Sequence, residues 1–291
     1  MKKIRYTFGG DEHLFAEVSQ AMSLEAFFKS MAACDELRQR AIPGITEICP
    51  ANASFLIRFN PDLIKPEALL RTVQDIEASL AQTPAALDTR IVEVPLFYND
   101  PWTHETLMRF RDRHQDPSST DLEYSARVNG FESVQALIEA HHQSPWMVTM
   151  VGFVAGLPFL YQMVEQSRQI QVPKYVRPRT DTPRLTLGHG GCFGAFYSVR
   201  GAGGYQMFGI SPAPIFDPEQ KVPYLKEFMV FFKPGDIVKW KPIDRTQYDA
   251  DVEAVAAGTF SLKTKPVHFS LDEYEKDATA TKRRLLEVLH A

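Results

Sequence analysis

The chain has 291 residues, and two domains are the natural expectation because a domain has roughly 150 residues. Its formal net charge is -4, and charges of both signs are spread along the sequence, so it lacks the basic stripe that a nucleic-acid backbone requires. We therefore expect no nucleic-acid partner.

The three cysteines, Cys34, Cys49 and Cys192, are far apart and odd in number, so they do not form a disulfide framework. This pattern favours a reducing cytoplasm. Residues 1–10 carry two lysines but no apolar run behind them, and we expect no secretory signal.

The first part of the chain is predicted to be an α+β domain over residues 1–98. Apolar residues recur at steps of three and four from Leu24 to Leu37, after Ser23 as a candidate N-cap, and this spacing predicts a helix. The same spacing from Leu69 to Leu80 follows Pro66, which suits the first turn of a second helix.

Short runs rich in β-branched and aromatic residues surround these helices. Gly44–Cys49 and Phe55–Phe59 are predicted to pair as a hairpin, with a first strand at Leu14–Val18 and a last strand at Arg90–Val94. The resulting order, βαββαβ, predicts a ferredoxin-like domain.

The second domain is predicted to span 99–245, with leading helices followed by an antiparallel barrel or sandwich. From 147 to 243, short apolar runs are punctuated by Gly and Pro every eight to twelve residues, which is typical of such folds. The expected helices lie at 103–113 and within 121–141. A C-terminal extension, 246–291, is predicted to contain a helix at 247–257, a strand near 260–269 and a helix at 270–290.

The stretch Trp146–Val164 carries no charge and is long enough to raise the question of a membrane span. It contains Gly152, Gly156 and Pro158 and has no basic flank to orient it. We expect a buried strand, turn and short helix instead, and no membrane association.

Generic catalytic motifs are missing from the sequence. It has no GxSxG elbow, no Walker A loop and no metal-ligand spacing among its eight histidines, so we expect no metal site. The segment from Gly188 to Gly209 is rich in glycine, and such a segment can bring main-chain N–H groups close to an oxyanion. The same glycines are also consistent with tight turns and bulges of a barrel.

Several motifs together resemble the allophanate-hydrolase-subunit-1 family, which includes the carboxyltransferase C–D half of urea carboxylase, KipI-like kinase inhibitors and the 5-oxoprolinase B subunit. The likeness spans nearly the whole chain. The segments that carry it are His141 followed by Trp146, Met150–Phe153, Ala155–Leu160, Arg177–Arg179, Gly203–Gln206 and Phe216–Pro218. Further segments, Ala41–Ile45, Asn129–Val134, Lys174–Tyr175 and Ala257–Phe260, are most similar to urea carboxylase.

The resemblance implies a ferredoxin-like N-terminal domain and a C-terminal cyclophilin-like barrel. It implies a carboxyltransferase half that works with a homologous A–B half, a biotin carrier and a biotin carboxylase on a small amide substrate. The cofactor would be carboxybiotin on a separate carrier, and ATP would be used only through partner subunits. By that resemblance, the catalytic positions are His141, Lys174, Arg179 and Tyr197, and the substrate-binding positions are Gly203, Gly204, Tyr205 and Gln206.

Each position also has a plain structural interpretation. The histidine is consistent with capping a helix end, and the two cations with surface charges. The two tyrosines suit barrel packing, and the glycines suit the fold and the site together. If Gly204 approaches a ligand closely, its replacement by valine is expected to abolish activity.

The sequence departs from the family pattern at three places. Ala155 and Ala202 stand where the family has proline, and Ile210 stands where it has arginine. Ile210 lacks the permanent charge and the paired donors of arginine, so the acceptor differs from that of relatives or the site is degenerate.

Three functions remain open at this point. The first is the carboxyltransferase half acting on urea or a related amide. The second is a 5-oxoprolinase-type subunit that opens a lactam with an ATP-using partner. The third is a regulator that binds a histidine kinase.

Overall fold

The computed structural model of the protein describes residues 3–80 and 85–291. The chain forms two compact units, which we call unit 1 (Met1–Asp88 with His268–Thr281) and unit 2 (Thr89–Val267 with Lys282–Ala291). The boundaries of these units differ from those of the expected domains, 1–98, 99–245 and 246–291. That division therefore remains a proposal about independently folding domains.

Strands and helices alternate in unit 1, and strands dominate unit 2. The strands are β1 (Arg5–Gly9), β2 (His13–Glu17), β3 (Ile45–Ala51), β4 (Ser54–Phe59), β5 (Ala86–Tyr98), β6 (Trp146–Val151), β7 (Pro158–Gln162), β8 (Arg179–Thr182), β9 (Thr186–Gly190), β10 (Phe193–Phe196), β11 (Gly201–Gly203), β12 (Gln206–Ile210), β13 (Ile237–Pro242) and β14 (Lys263–Ser270). The helices are α1 (Leu24–Arg40), α2 (Pro66–Ser79), α3 (Pro101–Arg109), α4 (Asp121–Val128), α5 (Val134–Gln143), α6 (Arg245–Ala256), α7 (Leu271–Lys276) and α8 (Ala278–His290).

The sheet of unit 1 has the order β1-β2-β4-β3, and each neighbouring pair is antiparallel. The predicted hairpin is confirmed, since β3 and β4 pair from Ile45 opposite Phe59 to Ala51 opposite Ser54. Both predicted helices are present. The Ser23 side chain accepts the main-chain N–H of Ala26, which is the expected N-cap of α1.

The expected order βαββαβ is not the one observed in unit 1. The edge next to β2 is occupied by β1, which the sequence analysis missed, and Arg90–Val94 belongs to β5 in the other sheet. Strand β5 pairs with β13 in parallel and is covered on both faces, as the burial of Ile91 and Val94 shows. Arg90–Val94 therefore belongs to the sheet of unit 2 and is not the last strand of the sheet in unit 1. The broader prediction of an α+β chain is confirmed.

The sheet of unit 2 closes into a barrel. Its strand order is β12-β9-β10-β7-β6-β13-β5-β14, and β12 also pairs with the C-terminal end of β5. In that pairing Gly209 lies opposite Tyr98 and Ile210 opposite Phe97. Closure by this pair makes a barrel of seven strands, with β14 continuing the sheet beyond β5.

The stretch Trp146–Val164 contains β6 and β7, which are antiparallel neighbours in the barrel. The expected strand and turn are therefore present, but the second half is a strand rather than a short helix. Over the described parts of the chain, 3–80 and 85–291, no helix has the length and apolar character needed to cross a membrane.

The predicted types of secondary structure in the C-terminal segment are mostly confirmed. Helix α6 and strand β14 lie where a helix and a strand were expected, whereas the single helix expected at 270–290 is divided into α7 and α8 around Asp277. A separate two-stranded ribbon, β8 paired with β11, lies outside the barrel sheet and carries two of the expected site residues, Arg179 and Gly203.

Candidate functional site

Gly203, in the Gly203–Gln206 segment, and Gly190, on a neighbouring strand, are each packed against a tyrosine ring. A Cβ on Gly203 would lie 2.6 Å from ring atom Cε1 of Tyr197 and closer still to its hydroxyl oxygen. On the neighbouring strand β9, a Cβ on Gly190 would lie 2.6 Å from Cε1 of Tyr205. Contacts this short are not tolerated, so these glycines leave room for aromatic side chains.

Gly204 differs from Gly203. Its nearest neighbour for an added Cβ is a side-chain carbon of Pro178 at 3.7 Å, an ordinary packing distance. The main-chain carbonyl of Gly204 accepts the N–H of Tyr175 at 2.7 Å. Within the protein, a Cβ therefore has room at Gly204 and none at Gly203, and the close approach of Gly204 to a ligand stays a prediction.

Tyr205 and Lys174 form the outer part of this region. The Tyr205 ring is half-buried, and the Lys174 ammonium nitrogen lies 5.2 Å from its centroid, close enough for a cation–π contact. Lys174 is exposed. The structure therefore places Lys174 at the surface, above the packed glycines.

Tyr197 lies deeper, and burial raises the pKa of its hydroxyl. The main-chain N–H of Tyr205 donates to that hydroxyl, and the nearby Arg179 guanidinium also acts to lower its pKa. Tyr197 thus connects the glycine segment to Arg179.

Arg179 is fully buried on β8, with no exposed surface. Its guanidinium carbon lies 4.4 Å above the ring of Tyr175, and its Nε donates to the Thr182 hydroxyl at 3.3 Å. Its two terminal nitrogens make no hydrogen bond of good geometry among the residues described, although the Tyr175 and Tyr197 hydroxyls lie close enough for the guanidinium to lower their pKa. A buried unpaired donor costs about 1–3 kcal/mol, and more when it is charged. The guanidinium is therefore the polar group of the site whose burial costs the most free energy.

Asp121, at the start of α4, is the residue that faces this charge, and the sequence analysis did not identify it. One carboxylate oxygen accepts the Tyr175 hydroxyl at 2.5 Å, and the other accepts the main-chain N–H of Met207 at 2.6 Å. Burial raises the pKa of Asp121, whereas the charge of Arg179 acts to lower it. Both carboxylate oxygens accept hydrogen bonds, as the ionised form does.

His114 and Gln206 extend the network. Nδ1 of His114 lies 2.9 Å from the main-chain nitrogen and 2.8 Å from the main-chain oxygen of Asp116, so these contacts do not decide the tautomer. The Gln206 side-chain nitrogen donates to the Pro173 carbonyl, which leaves the Gln206 side-chain oxygen as an acceptor and assigns a proton to Nε2 of His114. That Nε2 then donates to the Gln206 side-chain oxygen at 2.9 Å and lies 3.4 Å from a carboxylate oxygen of Asp121. We refer to Arg179, Asp121, Tyr175, Tyr197, His114 and Gln206 as the Arg179 cluster.

A cleft leads towards this cluster between the N-termini of α3 and α4. It has a volume of about 420 Å³, and a narrow inner space of about 20 Å³ continues to Asp121 and Met207. Residues that line both parts are Asn99, Asp100, His104, Thr120 and Leu122. Asp121 is therefore the member of the cluster that the cleft reaches.

The cleft has a second buried carboxylate in Asp100. It caps α3 by accepting the main-chain N–H groups of Trp102 and Thr103, and burial raises its pKa. Thr120 and Glu123 form a capping box at the start of α4. Both helix starts are thus held rigidly by their own side chains. Over residues 3–80 and 85–291, no group of three or more His, Cys, Asp or Glu side chains is arranged to hold a metal ion.

His141 lies elsewhere, in the aromatic core of the barrel. Its ring is 4.6 Å from that of Trp146 and 5.3 Å from that of Phe208, and its Nδ1 is hydrogen-bonded to the Tyr98 hydroxyl at 2.8 Å. Burial lowers its pKa well below the ordinary value, which keeps the imidazole neutral. Nothing among these contacts connects His141 to the Arg179 cluster.

Comparisons with known proteins agree with this architecture. The model of the family described as carboxyltransferase domain, subdomain C and D, matches residues 4–226. The 5-oxoprolinase B subunit of Bacillus subtilis is 28% identical over 75% of this chain and 84% of that protein. The urea amidolyase of Saccharomyces cerevisiae is 23% identical over 96% of this chain, which spans 15% of that protein.

Among solved structures, the urea amidolyase of Kluyveromyces lactis has a TM-score of 0.82 at 20% identity, over 99% of this chain and 18% of that one. A second structure, of TTHA0988, has a TM-score of 0.59 at 22% identity, over 80% of this chain and 40% of that one. At these identities the likeness shows the fold. Because the family model covers most of the chain, the protein belongs to the family of carboxyltransferase domains of subdomain C and D.

Proposed function

We propose that this chain is the C–D half of a carboxyltransferase in a biotin-dependent carboxylase that acts on urea or a related amide. One observation carries the proposal: the similarity to urea amidolyases extends over 94–96% of the chain, whereas that to 5-oxoprolinase B subunits covers 75–79%. The C-terminal segment with α6, β14 and α8 therefore has a counterpart in the first group of relatives.

The reaction would break the bond between the carboxyl carbon and the ureido nitrogen of carboxybiotin and form a new bond from that carbon to the amide nitrogen of the acceptor. The proton that the amide nitrogen loses would pass to the ureido nitrogen of biotin. The carboxybiotin, on a separate carrier, supplies the carboxyl group. ATP would be used only by partner subunits.

The residues of the Arg179 cluster suit the polar part of this chemistry. Arg179 and the Tyr197 hydroxyl offer donors to an oxygen that gains negative charge, in a place removed from water. Gln206 and His114 hold the cluster in position through their hydrogen bond. Lys174 is placed at the surface, where it suits a contact with the incoming carboxyl donor.

His141 has a different role in this proposal. It is neutral, lies among aromatic rings of the barrel core and is assigned to packing rather than to catalysis. Gly203 and Tyr205 support the site by packing. We further propose that the barrel is of the cyclophilin-like type and that unit 1 is a ferredoxin-like domain whose edge strand is β1.

A homologous A–B half, a biotin carrier and a biotin carboxylase are the proposed partners. Support comes from relatives in which the matching segment is a minor part of a longer chain, 15% of the yeast urea amidolyase and 40% of the TTHA0988 chain. The family's arginine is replaced by Ile210, which is buried in β12. A charge at this position is therefore absent here, so either the acceptor differs from that of relatives or the site is degenerate.

The second candidate is a 5-oxoprolinase-type subunit. It is favoured by the 28% identity to the Bacillus subtilis protein and by the 84% of that protein that the match covers. In that case the chain would work with an ATP-using partner to open a lactam. A kinase-binding regulator remains the third alternative.

The deciding experiment is to co-express the chain with its homologous half and add biotinylated carrier and biotin carboxylase. Incorporation of labelled bicarbonate into urea or another amide, dependent on ATP and on the carrier, is the expected result. Arg179→Lys should reduce the turnover strongly, whereas Arg177→Lys should not, because Arg177 is exposed and pairs with Asp112 on the surface. ATP-dependent hydrolysis of 5-oxoproline without carboxylation would favour the second candidate instead. Co-purification with a histidine kinase, and with no carboxyltransferase half, would favour the third.

A further inference from the structure

The surface around the C-terminal end of α3 is rich in arginine. Two segments, 108–113 and 174–181, are in contact there, and Arg200 joins them through Asp181. We call this surface, residues 108–113 and 174–181 with Arg200, the arginine face. Apart from the buried Arg179, it has six cations and two carboxylates: Arg109, Arg111, Arg113, Lys174, Arg177 and Arg200 with Asp112 and Asp181. Without Arg179 its net charge is +4, whereas the whole chain has a formal net charge of -4.

Contacts between the two segments hold the arginine face in one arrangement. A terminal nitrogen of Arg113 donates to the carbonyl of Pro178 at 2.7 Å, and the main-chain N–H of Arg177 donates to the carbonyl of Arg113 at 3.5 Å. The guanidinium of Arg113 also lies over the ring of Phe110, 4.9 Å from its centroid. Side chains that are held in position before a partner arrives lose less conformational entropy on binding.

The two carboxylates leave most of the positive charge of the arginine face uncompensated. Asp181 pairs with two arginines, Arg109 at 3.0 Å and Arg200 at 2.6 Å. Asp112 pairs with Arg177 at 2.8 Å. The side chains of Arg177 and Arg200 are nevertheless 67% and 70% exposed, and each guanidinium has five N–H donors. These guanidiniums can therefore reach further acceptors on a partner.

Two exposed apolar side chains lie within the arginine face. Leu107 and Tyr175 pack with Met207 in a small buried cluster. The residues that follow the first two in the chain, Met108 and Val176, are 48% and 71% exposed. Arginine and methionine are both enriched in protein–protein interfaces, and a small anion would leave these apolar side chains in water. The composition therefore favours a protein partner.

The charge of the arginine face selects an acidic partner that docks and leaves. Exposed cations steer an oppositely charged protein and speed its association. Permanent interfaces are larger and more apolar than a face with two exposed apolar side chains. A nucleic-acid backbone is a poorer fit, because Asp112 and Asp181 lie inside the face and the rest of the chain is net negative.

We propose that the arginine face transiently docks an acidic face of a partner protein, and that under the proposed function this partner is the biotin carrier. The inference rests on the proposed function, because it names the docking surface for the partner that brings the carboxyl donor. Lys174 supports the assignment, since it belongs to the arginine face and its ammonium nitrogen lies 5.2 Å from the ring centroid of Tyr205. A carrier docked on the face would therefore hold its donor beside the Gly203–Gln206 segment.

Binding of the carrier tests the proposal. The carrier is immobilised through a terminal tag, and its binding to the full-length chain, alone and co-expressed with the homologous half, is measured by biolayer interferometry. We expect the association rate to fall at least about tenfold between about 0.02 and 0.3 M NaCl, because salt screens exposed charges. The dissociation rate should change much less.

Charge reversal in the arginine face sharpens the test. Arg177→Glu combined with Arg200→Glu changes two exposed residues, and we expect it to lower the association rate at low salt at least about tenfold. In the carboxylation assay the same variant should raise KM for the carrier by a similar factor and leave kcat unchanged. Arg38→Glu combined with Arg71→Glu makes the same change of charge at exposed positions of unit 1 and should alter neither the association rate nor KM.

The inference is overturned if the reversed variant binds the carrier as the wild type does, if the unit 1 variant weakens binding equally, or if the carrier does not bind at low salt in either preparation. It is also overturned if the reversal abolishes binding of a duplex oligonucleotide while binding of the carrier is retained. These rates require no turnover. Carrier binding that depends on the arginine face, without carboxylation of any amide, would refute the proposed function alone. Carboxylation by the reversed variant with the wild-type KM for the carrier would refute this inference alone.

Discussion

His141 and Arg179 were both expected to be catalytic, and both are fully buried with nitrogens that find no partner in the described part of the chain, yet their surroundings differ. His141 lies among Trp146, Phe208 and Trp240, and its lowered pKa keeps it neutral. Arg179 remains charged and faces the carboxylate of Asp121. An imidazole can lose its charge on burial, but a guanidinium cannot, so Arg179 depends on neighbouring groups to compensate its charge in a way that His141 does not.

The largest expected effect comes from removing the counter-charge of Arg179. Asp121→Ala leaves a buried guanidinium uncompensated and removes the acceptor of the Tyr175 hydroxyl, so we expect the free energy of unfolding to fall by about 3–5 kcal/mol. Urea denaturation followed by circular dichroism measures this. Asp112→Ala, on the surface, is the control and should change stability by less than about 0.5 kcal/mol. A loss below about 1 kcal/mol in Asp121→Ala would show that the Asp121 carboxylate does not stabilise the buried guanidinium.

Acid is expected to destabilise the folded protein, because the histidines of the barrel core are held in the neutral form. Burial lowers the pKa of His189 to about 4 in the folded protein, whereas the unfolded chain has the ordinary value near 6.5. Above pH 6.5 neither state is protonated, and stability is fully present. Between about pH 6.5 and 4 the imidazole of His189 binds a proton in the unfolded state but stays unprotonated in the folded state. The free energy of unfolding therefore falls by about 3 kcal/mol over this range.

Denaturation midpoints at a series of pH values measure that loss. The His189→Gln variant retains an amide donor for the carbonyl of Ile170 but has no titrating group, so its stability should fall less on acidification. His104→Gln, at an exposed position, should retain the wild-type dependence. If His189→Gln keeps the full acid dependence, His189 is not its source.

The two neighbouring glycines offer a smaller and closely matched contrast near Arg179. Gly203→Ala forces a Cβ against the Tyr197 ring, and we expect a loss of about 1–3 kcal/mol from overpacking. Gly204→Ala meets only ordinary contacts and should stay within about 0.5 kcal/mol of the wild type. Thermal melting measures both. Equal losses would show that the segment is packed differently.

The smallest effect is expected at His141 itself. His141→Phe loses the hydrogen bond to the Tyr98 hydroxyl, which should lower stability by about 1–2 kcal/mol. Turnover of the assembled enzyme, per folded molecule, should remain at the wild-type level. Tyr98→Phe removes the same hydrogen bond and serves as the control. Loss of turnover at unchanged stability would return His141 to the active site.

Local patterns in the sequence predicted the elements that local physics determines. Helices α1 and α2 and the β3–β4 hairpin have apolar periodicity, a Ser cap and turn residues within a few positions of each other. Strand β1 has no such signal because its residues are mostly exposed at a sheet edge. The partner of β5, strand β13, lies more than a hundred residues away, and no local pattern predicts that pairing.

The site shows the same limit. The family motifs led to Arg179, Tyr197 and Gln206, which the structure brings together, and also to His141, which it does not. Asp121 was overlooked because an acidic residue after Thr120 reads as an ordinary first-turn residue of a helix. Its role becomes visible only when β12 and the segment with Tyr175 fold against it.

The positions of the tryptophans have a practical consequence. All three, Trp102, Trp146 and Trp240, lie in unit 2, and the latter two are fully buried in the barrel. Tryptophan fluorescence, excited selectively over tyrosine, will therefore report the melting of unit 2 without a contribution from unit 1. A fluorescence transition that occurs apart from the one seen by far-ultraviolet circular dichroism would reveal that the two units unfold in separate steps.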